Sequence, residues 1–186
     1  SFDGRAVEVR GYAVELRYGG MAYELERVVA HTPSEHAFGG QRYPLELQFE
    51  HTALVRGAPR RLVVSAFLRA HAESCAPAAA VASACRGLGA AGGAVALGGV
   101  GFEQVAMAVL GQMEAVNPSV TNAQSYYEYA GSQTAPPCEQ GVTWLLLKNP
   151  LPVSEPDLAD IVALQGTNAR PLQPGDGRTV FDSHVP

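Results

Sequence analysis

The chain has 186 residues, 47% of them apolar and 17% charged, with a formal net charge of −5. That is an ordinary globular balance, long enough for one domain over residues 1–186 with a sizeable core and too short for two. Thirteen Lys plus Arg against 18 Asp plus Glu speak against a nucleic-acid partner, which needs clustered positive surface, and no stretch approaches the ~20 apolar residues of a direct membrane span.

The first half reads as strands. Tyr12 to Tyr18 alternates apolar and polar residues, the period-two signal of a half-buried strand, and Gly19-Gly20 supplies the positive φ of a tight hairpin. The return strand, Met21 to His31, is expected to carry Tyr23, Leu25, Arg27, Val29 and His31 on one face. Tyr43 to His51 is a further strand. Arg56 to Arg61 holds the only basic cluster and reads as a solvated turn. Arg61 to Leu68 is almost continuously apolar and is therefore expected at the centre of a sheet.

From Arg69 to Gly101 Ala and Gly dominate without a period, which marks an insertion with a short helix around Ala78 to Cys85. Its Cys75 and Cys85, ten apart, either close a small disulfide loop or are two thiols in small-residue packing; Cys138 is the third cysteine. Phe102 to Val116 has near-helical apolar spacing, ended by Asn117-Pro118. Gly141 to Leu147 is a strong strand stopped by Asn149-Pro150. Ser154 with Asp157 three residues on is a capping box for a helix through Leu164, and loops follow from Thr167. The sum is a mainly β fold with peripheral helices. The chain opens on Ser1, the mark expected of a processed or truncated product.

Three stretches carry a family resemblance: His31-Thr32-Pro33-Ser34-Glu35-His36 followed by Arg42-Tyr43-Pro44-Leu45-Glu46-Leu47; Tyr127 to Trp144, with Thr134-Ala135-Pro136-Pro137-Cys138 inside it; and Asn168-Ala169-Arg170-Pro171-Leu172-Gln173-Pro174 with Gly177-Arg178. In this order they resemble the α-class carbonic anhydrases, particularly their bacterial and algal branch. The resemblance implies a large central, mostly antiparallel sheet with a conical cleft, short peripheral helices, and the N-terminal part of the family domain absent from this chain.

In that family two histidines at i and i+2 of one strand and a third on the neighbouring strand bind zinc, because alternate strand residues point the same way. The metal lowers the pKa of its bound water to about 7. By resemblance the first pair reads Val29-Ala30-His31, so His31 alone remains, and the third position reads Gln48. Valine cannot ligate, and a neutral amide is a poor zinc ligand. Thr134 and Glu35 match the pair that orients the zinc-bound hydroxide, and Glu46 matches the carboxylate behind the third histidine. Glu50 and Gln133 stand where the family has apolar wall residues, and Arg27 where it has a glutamine; Val63, Val142 and Trp144 keep the apolar character. Glu35 and His36 are expected in a buried network behind the site. His51 is read as a core or network histidine on the face opposite Gln48, and His71 and His184 carry no signal.

The resemblance therefore implies a chain without metal or cofactor and without catalysis, with Glu35 and Thr134 vestigial. Its role would be a structural or protein-interaction module whose partners are other protein chains in a larger assembly, in secretory space or an organelle lumen. The alternative is an active carbonate dehydratase with a rearranged zinc site around His31. A sheet edge left bare by the absent N-terminal part would invite pairing with another chain, and an Arg27–Glu50 ion pair is expected to fill part of the former metal site.

Overall fold

A computed structural model describes residues 15–72, 94–96, 126–175 and 177–183. The readings of a helix at 78–85, a helix at 102–116, the Cys75–Cys85 loop and His184 lie outside the described residues. Within them the chain forms eleven strands and one helix: β1 Glu15–Tyr18, β2 Met21–His31, β3 Ala37–Phe38, β4 Gln41–Arg42, β5 Leu45–Val55, β6 Ala58–His71, β7 Ala94–Ala96, β8 Tyr126–Ser132, β9 Gln140–Leu147, β10 Leu151–Ser154, α1 Glu155–Gln165 and β11 Val180–Asp182.

Nine strands make one sheet in the order β1-β2-β5-β6-β9-β8-β11, with β10 on β6 and β7 on β2; β3 and β4 form a separate ribbon. All pairings in the large sheet are antiparallel except β6 with β9 and β10 with β6. The sheet is thus mostly antiparallel, as the family resemblance implied. Gly19 and Gly20 turn the first hairpin with φ of 56° and 77°, values that only glycine adopts freely. The nearly continuous apolar run of β6 is explained by its place between β5 and β9, where both faces are covered. That strand is longer than the sequence indicates at both ends. Ala58 to Arg61, read as part of a turn, pair with Thr52 to Val55, and the segment read as the start of the insertion reaches His71 because β10 pairs alongside it. The insertion also returns to the sheet, since Ala94–Ala96 pairs with Arg27 to Val29.

The period-two pattern divides the sheet into two faces. On one, Leu45, Leu47 and Phe49 of β5 pack with Leu62, Val64, Ala66 and Leu68 of β6, Leu145 and Leu147 of β9, and Leu158 and Ile161 of α1. Ser154 caps α1: its hydroxyl oxygen accepts from Asp157 N at 3.3 Å, and its hydroxyl donates to the Asp157 carboxylate at 2.7 Å. On the other face Val63, Phe67, Val142, Trp144 and Leu146 form a smaller cluster with Phe38, Tyr43, Tyr127 and Tyr129.

Strand β2 changes sides partway. Leu25 pairs with His51 and Arg27 with Glu50, so Glu26 is an extra residue, a β-bulge. Tyr23, Leu25, Val28 and Ala30 face the main core, whereas Arg27, Val29 and His31 turn to the other face. This corrects the single-face reading of Met21 to His31. The bulge inverts the alternation, and its signature is the break Glu26-Arg27-Val28-Val29, two polar residues followed by two apolar ones.

Candidate functional site

The second face of the sheet carries the cleft, and antiparallel register assembles it. Arg27 stands opposite Glu50, Val29 opposite Gln48 and His31 opposite Glu46; one strand further, Gln48 faces Ser65 and Glu50 faces Val63; Val63 then faces Trp144, and Arg61 faces Val142. The residues singled out in the sequence are therefore brought together, by the same i, i+2 geometry that would aim three ligands at one metal.

What they build is a polar network. The carboxylate of Glu46, fully buried, accepts five hydrogen bonds: from the backbone N–H groups of Glu35 and His36 at 2.8 and 3.0 Å, from His36 Nδ1 at 2.7 Å, from Gln48 Nε2 at 3.0 Å and from the Ser65 hydroxyl at 2.8 Å. Burial pushes its pKa up, but the His36 imidazole and these hydrogen bonds outweigh burial and hold the group at about 2. Gln48 Nε2 also donates to Glu35 Oε2 at 3.0 Å, while Glu35 Oε1 accepts from the backbone N–H of Arg170. His36 carries the chain outward, with Nε2 2.6 Å from the hydroxyl of Tyr129. Burial, with the nearby Glu46 and Glu35 carboxylates, drives that phenol's pKa up, against the opposing charge of Arg178. Glu35 and His36 thus lie in a buried network, as the sequence reading expected.

Thr134 lines the cleft, but no hydrogen bond joins it to Glu35 among the described residues, because Glu35 Oε2 faces Gln48. Glu35 and Thr134 thus lie near each other without being coupled. His31 Nε2 lies 3.6 Å from Glu35 Oε2, too far for a hydrogen bond, and both its ring nitrogens are buried without a partner, as is Gln133 Oε1. Arg27 Nε donates to Glu50 Oε2 at 2.8 Å, the expected ion pair, with the arginine side chain 43% exposed and that of Glu50 18%. The cavity between Arg27, Gln48, Glu50, Gln133, Val142 and Trp144 encloses about 40 Å³. His51 points to the main core: its Nδ1 donates to the Phe49 carbonyl at 2.8 Å, and burial lowers its pKa to about 4. Among the described residues, no three His, Cys, Asp or Glu side chains converge as a ligand set. Sequence reading missed Ser65 as a partner of Glu46; its signal was a lone hydroxyl inside the apolar run Arg61 to Leu68.

The comparisons agree with this architecture. The family model described as eukaryotic-type carbonic anhydrase matches residues 2–184. Dioscorin DB3S of Dioscorea polystachya is 30% identical over 183 residues, 94% of this chain and 60% of that protein. Alpha carbonic anhydrase 7 of Arabidopsis thaliana is 30% identical over 169 residues, 89% of this chain and 55% of that protein. The Photobacterium profundum α-carbonic anhydrase superposes with a TM-score of 0.68 at 26% identity, covering 91% of this chain and 70% of that one. A dioscorin solved in complex with ascorbate superposes at 0.64 and 27% identity, covering 93% and 67%. The chain spans about 60% of the length of the first of these curated relatives. Fold, motif order and family model agree: this chain belongs to the eukaryotic-type carbonic anhydrase family.

Proposed function

We propose that this chain is a zinc-free, catalytically silent member of its family that serves as a structural or protein-interaction module. The observation that carries the reading is the orientation of Gln48. Its amide directs both N–H donors at carboxylates, Glu35 Oε2 and Glu46 Oε1. The position that would hold the third histidine therefore presents donors where zinc needs a lone pair. Opposite it, Val29 offers carbon only. One imidazole, His31, does not make a three-ligand zinc site, and the residues present do not fit the metal. The wall that would hold carbon dioxide is altered too, since Arg27 and Glu50 place an ion pair on it and the remaining space is about 40 Å³, room for little more than a few ordered waters.

With chemistry lost and scaffold kept, the surface is what remains for function, and the partners are other protein chains. The secretory or organelle-lumen setting is part of the same proposal and rests on family resemblance alone. The test is zinc content by elemental analysis together with stopped-flow carbon dioxide hydration. The expected result is no stoichiometric zinc and no rate above background. One equivalent of zinc with measurable turnover would overturn the proposal and favour the rearranged-site alternative. In the Val29→His, Gln48→His double variant, metal binding should return while hydration stays low, because Glu50 still occupies the apolar wall.

A further inference from the structure

A second, larger cavity adjoins the cleft, lined by Glu35, His36 and Thr134 among others. It encloses about 490 Å³, within the range of small-molecule sites. Two arginines line it. Arg170 is half-buried and Arg178 exposed at the mouth. The backbone of Arg170 is pinned from both directions, its N–H donating to Glu35 Oε1 at 3.0 Å and its carbonyl accepting from Arg42 at 2.9 Å. Its guanidinium has no hydrogen-bond or ion-pair partner among the described residues, and neither does that of Arg178. Among the other described cations, Arg17, Arg27, Arg61 and Lys148 each meet a carboxylate and Arg42 is used on the carbonyls of Ser34 and Arg170, whereas Arg56, Arg60 and Arg69 are exposed and line no part of this cavity.

Among the described residues the one carboxylate on the wall is Glu35, already engaged by the Arg170 backbone and by Gln48. Its charge is directed into the network behind the cavity, and neither guanidinium is neutralised by it. Thr134 and Gln140 add neutral side chains able to donate. A concave space with two unspent guanidiniums and neutral donors matches oxygen-borne negative charge, which arginine binds through paired N–H groups.

We propose that this cavity is a binding site for a small dianion whose charge lies on oxygen, a dicarboxylate or a phosphate monoester, held between Arg170 and Arg178. The site adjoins the remnant cleft, with Thr134 lining both, and stands whether or not the chain is catalytic.

The test is isothermal titration of the full chain at low chloride with succinate and with inorganic phosphate, using neutral succinamide as the control. One saturable site is expected for at least one dianion, with a Kd of about 1 mM or below. Affinity should fall at least tenfold in Arg178→Gln and in Arg170→Gln, and not in Arg69→Gln, an exposed arginine at the far end of β6. Saturation by phosphate alone assigns the phosphate-ester source, by succinate alone the dicarboxylate source, and by both the shared chemistry. Absence of saturation with either, equal binding of succinamide, or undiminished binding in both cavity variants would overturn the proposal. Cys138, a free, partly exposed thiol on the same wall, gives a measurement without substitution. Its alkylation by iodoacetamide, followed by peptide mass spectrometry, should slow severalfold in a saturating dianion and not in sodium chloride of equal ionic strength. An unchanged rate would count equally against the site.

Discussion

Replacing Glu46 by glutamine removes one charge and almost no volume from the middle of the cleft network. Five donors converge on the carboxylate, and an amide can accept with only one of its two terminal atoms. If the amide oxygen faces His36, Gln48 and Ser65, its NH₂ group confronts the backbone N–H groups of Glu35 and His36; if it is reversed, it confronts the side-chain donors. At least one buried donor loses its acceptor, and two do in the first orientation, at about 1–3 kcal/mol each. Linkage gives an independent figure. A carboxyl held at about 2 in the fold, against an ordinary 4.5, contributes about 3 kcal/mol at neutral pH. Because the folded pKa is depressed, that contribution is complete above pH 4.5 and is lost as pH falls through 2. Urea unfolding at pH 7 should therefore show Glu46→Gln less stable by about 3 kcal/mol, and the gap should narrow below pH 4.5. A loss under about 1 kcal/mol, or a gap that stays constant with pH, would refute the reasoning.

Three further outcomes follow from the geometry. A double-mutant cycle between Arg27→Ala and Glu50→Ala should give a coupling of about 0.5–1 kcal/mol in urea titrations, because solvent screens the pair; zero coupling would leave only an incidental contact. Burial depresses the pKa of His51 from 6.5 to about 4, so the unfolded chain takes up a proton that the fold refuses, and stability falls as pH drops from 6.5 towards 4. The loss should reach about 2 kcal/mol by pH 5, and comparison of Tm at pH 7 and 5 for the wild type and His51→Leu should show the variant less acid-sensitive. Gly131→Ala would place a Cβ 2.8 Å from Tyr129 Cε2 and 3.0 Å from Trp144 Cδ1, forcing apart two rings stacked at 6.2 Å; a destabilisation of about 1–3 kcal/mol by urea titration is expected, and a neutral substitution would contradict that packing.

The legible parts of this protein are those where a local rule and the global fold agree. Alternation located β1, Gly19-Gly20 located the first hairpin, and Ser154 with Asp157 located the helix start, since each signal is set by a residue's own backbone requirements. The residues singled out for the cleft by family resemblance lie together because a strand's period makes i and i+2 neighbours on one face. Two kinds of information were not local. The side on which Arg27, Val29 and His31 emerge depends on a bulge whose only trace is a broken alternation at Glu26-Arg27. The partners of Glu35 depend on which donor wins a buried oxygen: family resemblance offered Thr134, but Gln48, two residues along β5 from Glu46, takes it with an amide that a histidine would not have supplied. Strand β8 and the short β11 were not read as strands either, because tyrosines and glycine at Tyr126–Ser132 show no clean alternation and β11 holds only three residues.

The bulge at Glu26 makes β2 a hinge in the lettering of the chain. Residues before it write the hydrophobic core and residues after it write the cleft, with one unpaired residue as the space between the two texts. Deleting that space would move Arg27 and His31 under the sheet and expose Val28 and Ala30, so a single lost codon would exchange the two faces over the remaining five residues of the strand. A point substitution at Val29 or Arg27 leaves that register in place. This cleft can therefore be rewritten letter by letter while its reading frame against the neighbouring strand stays fixed.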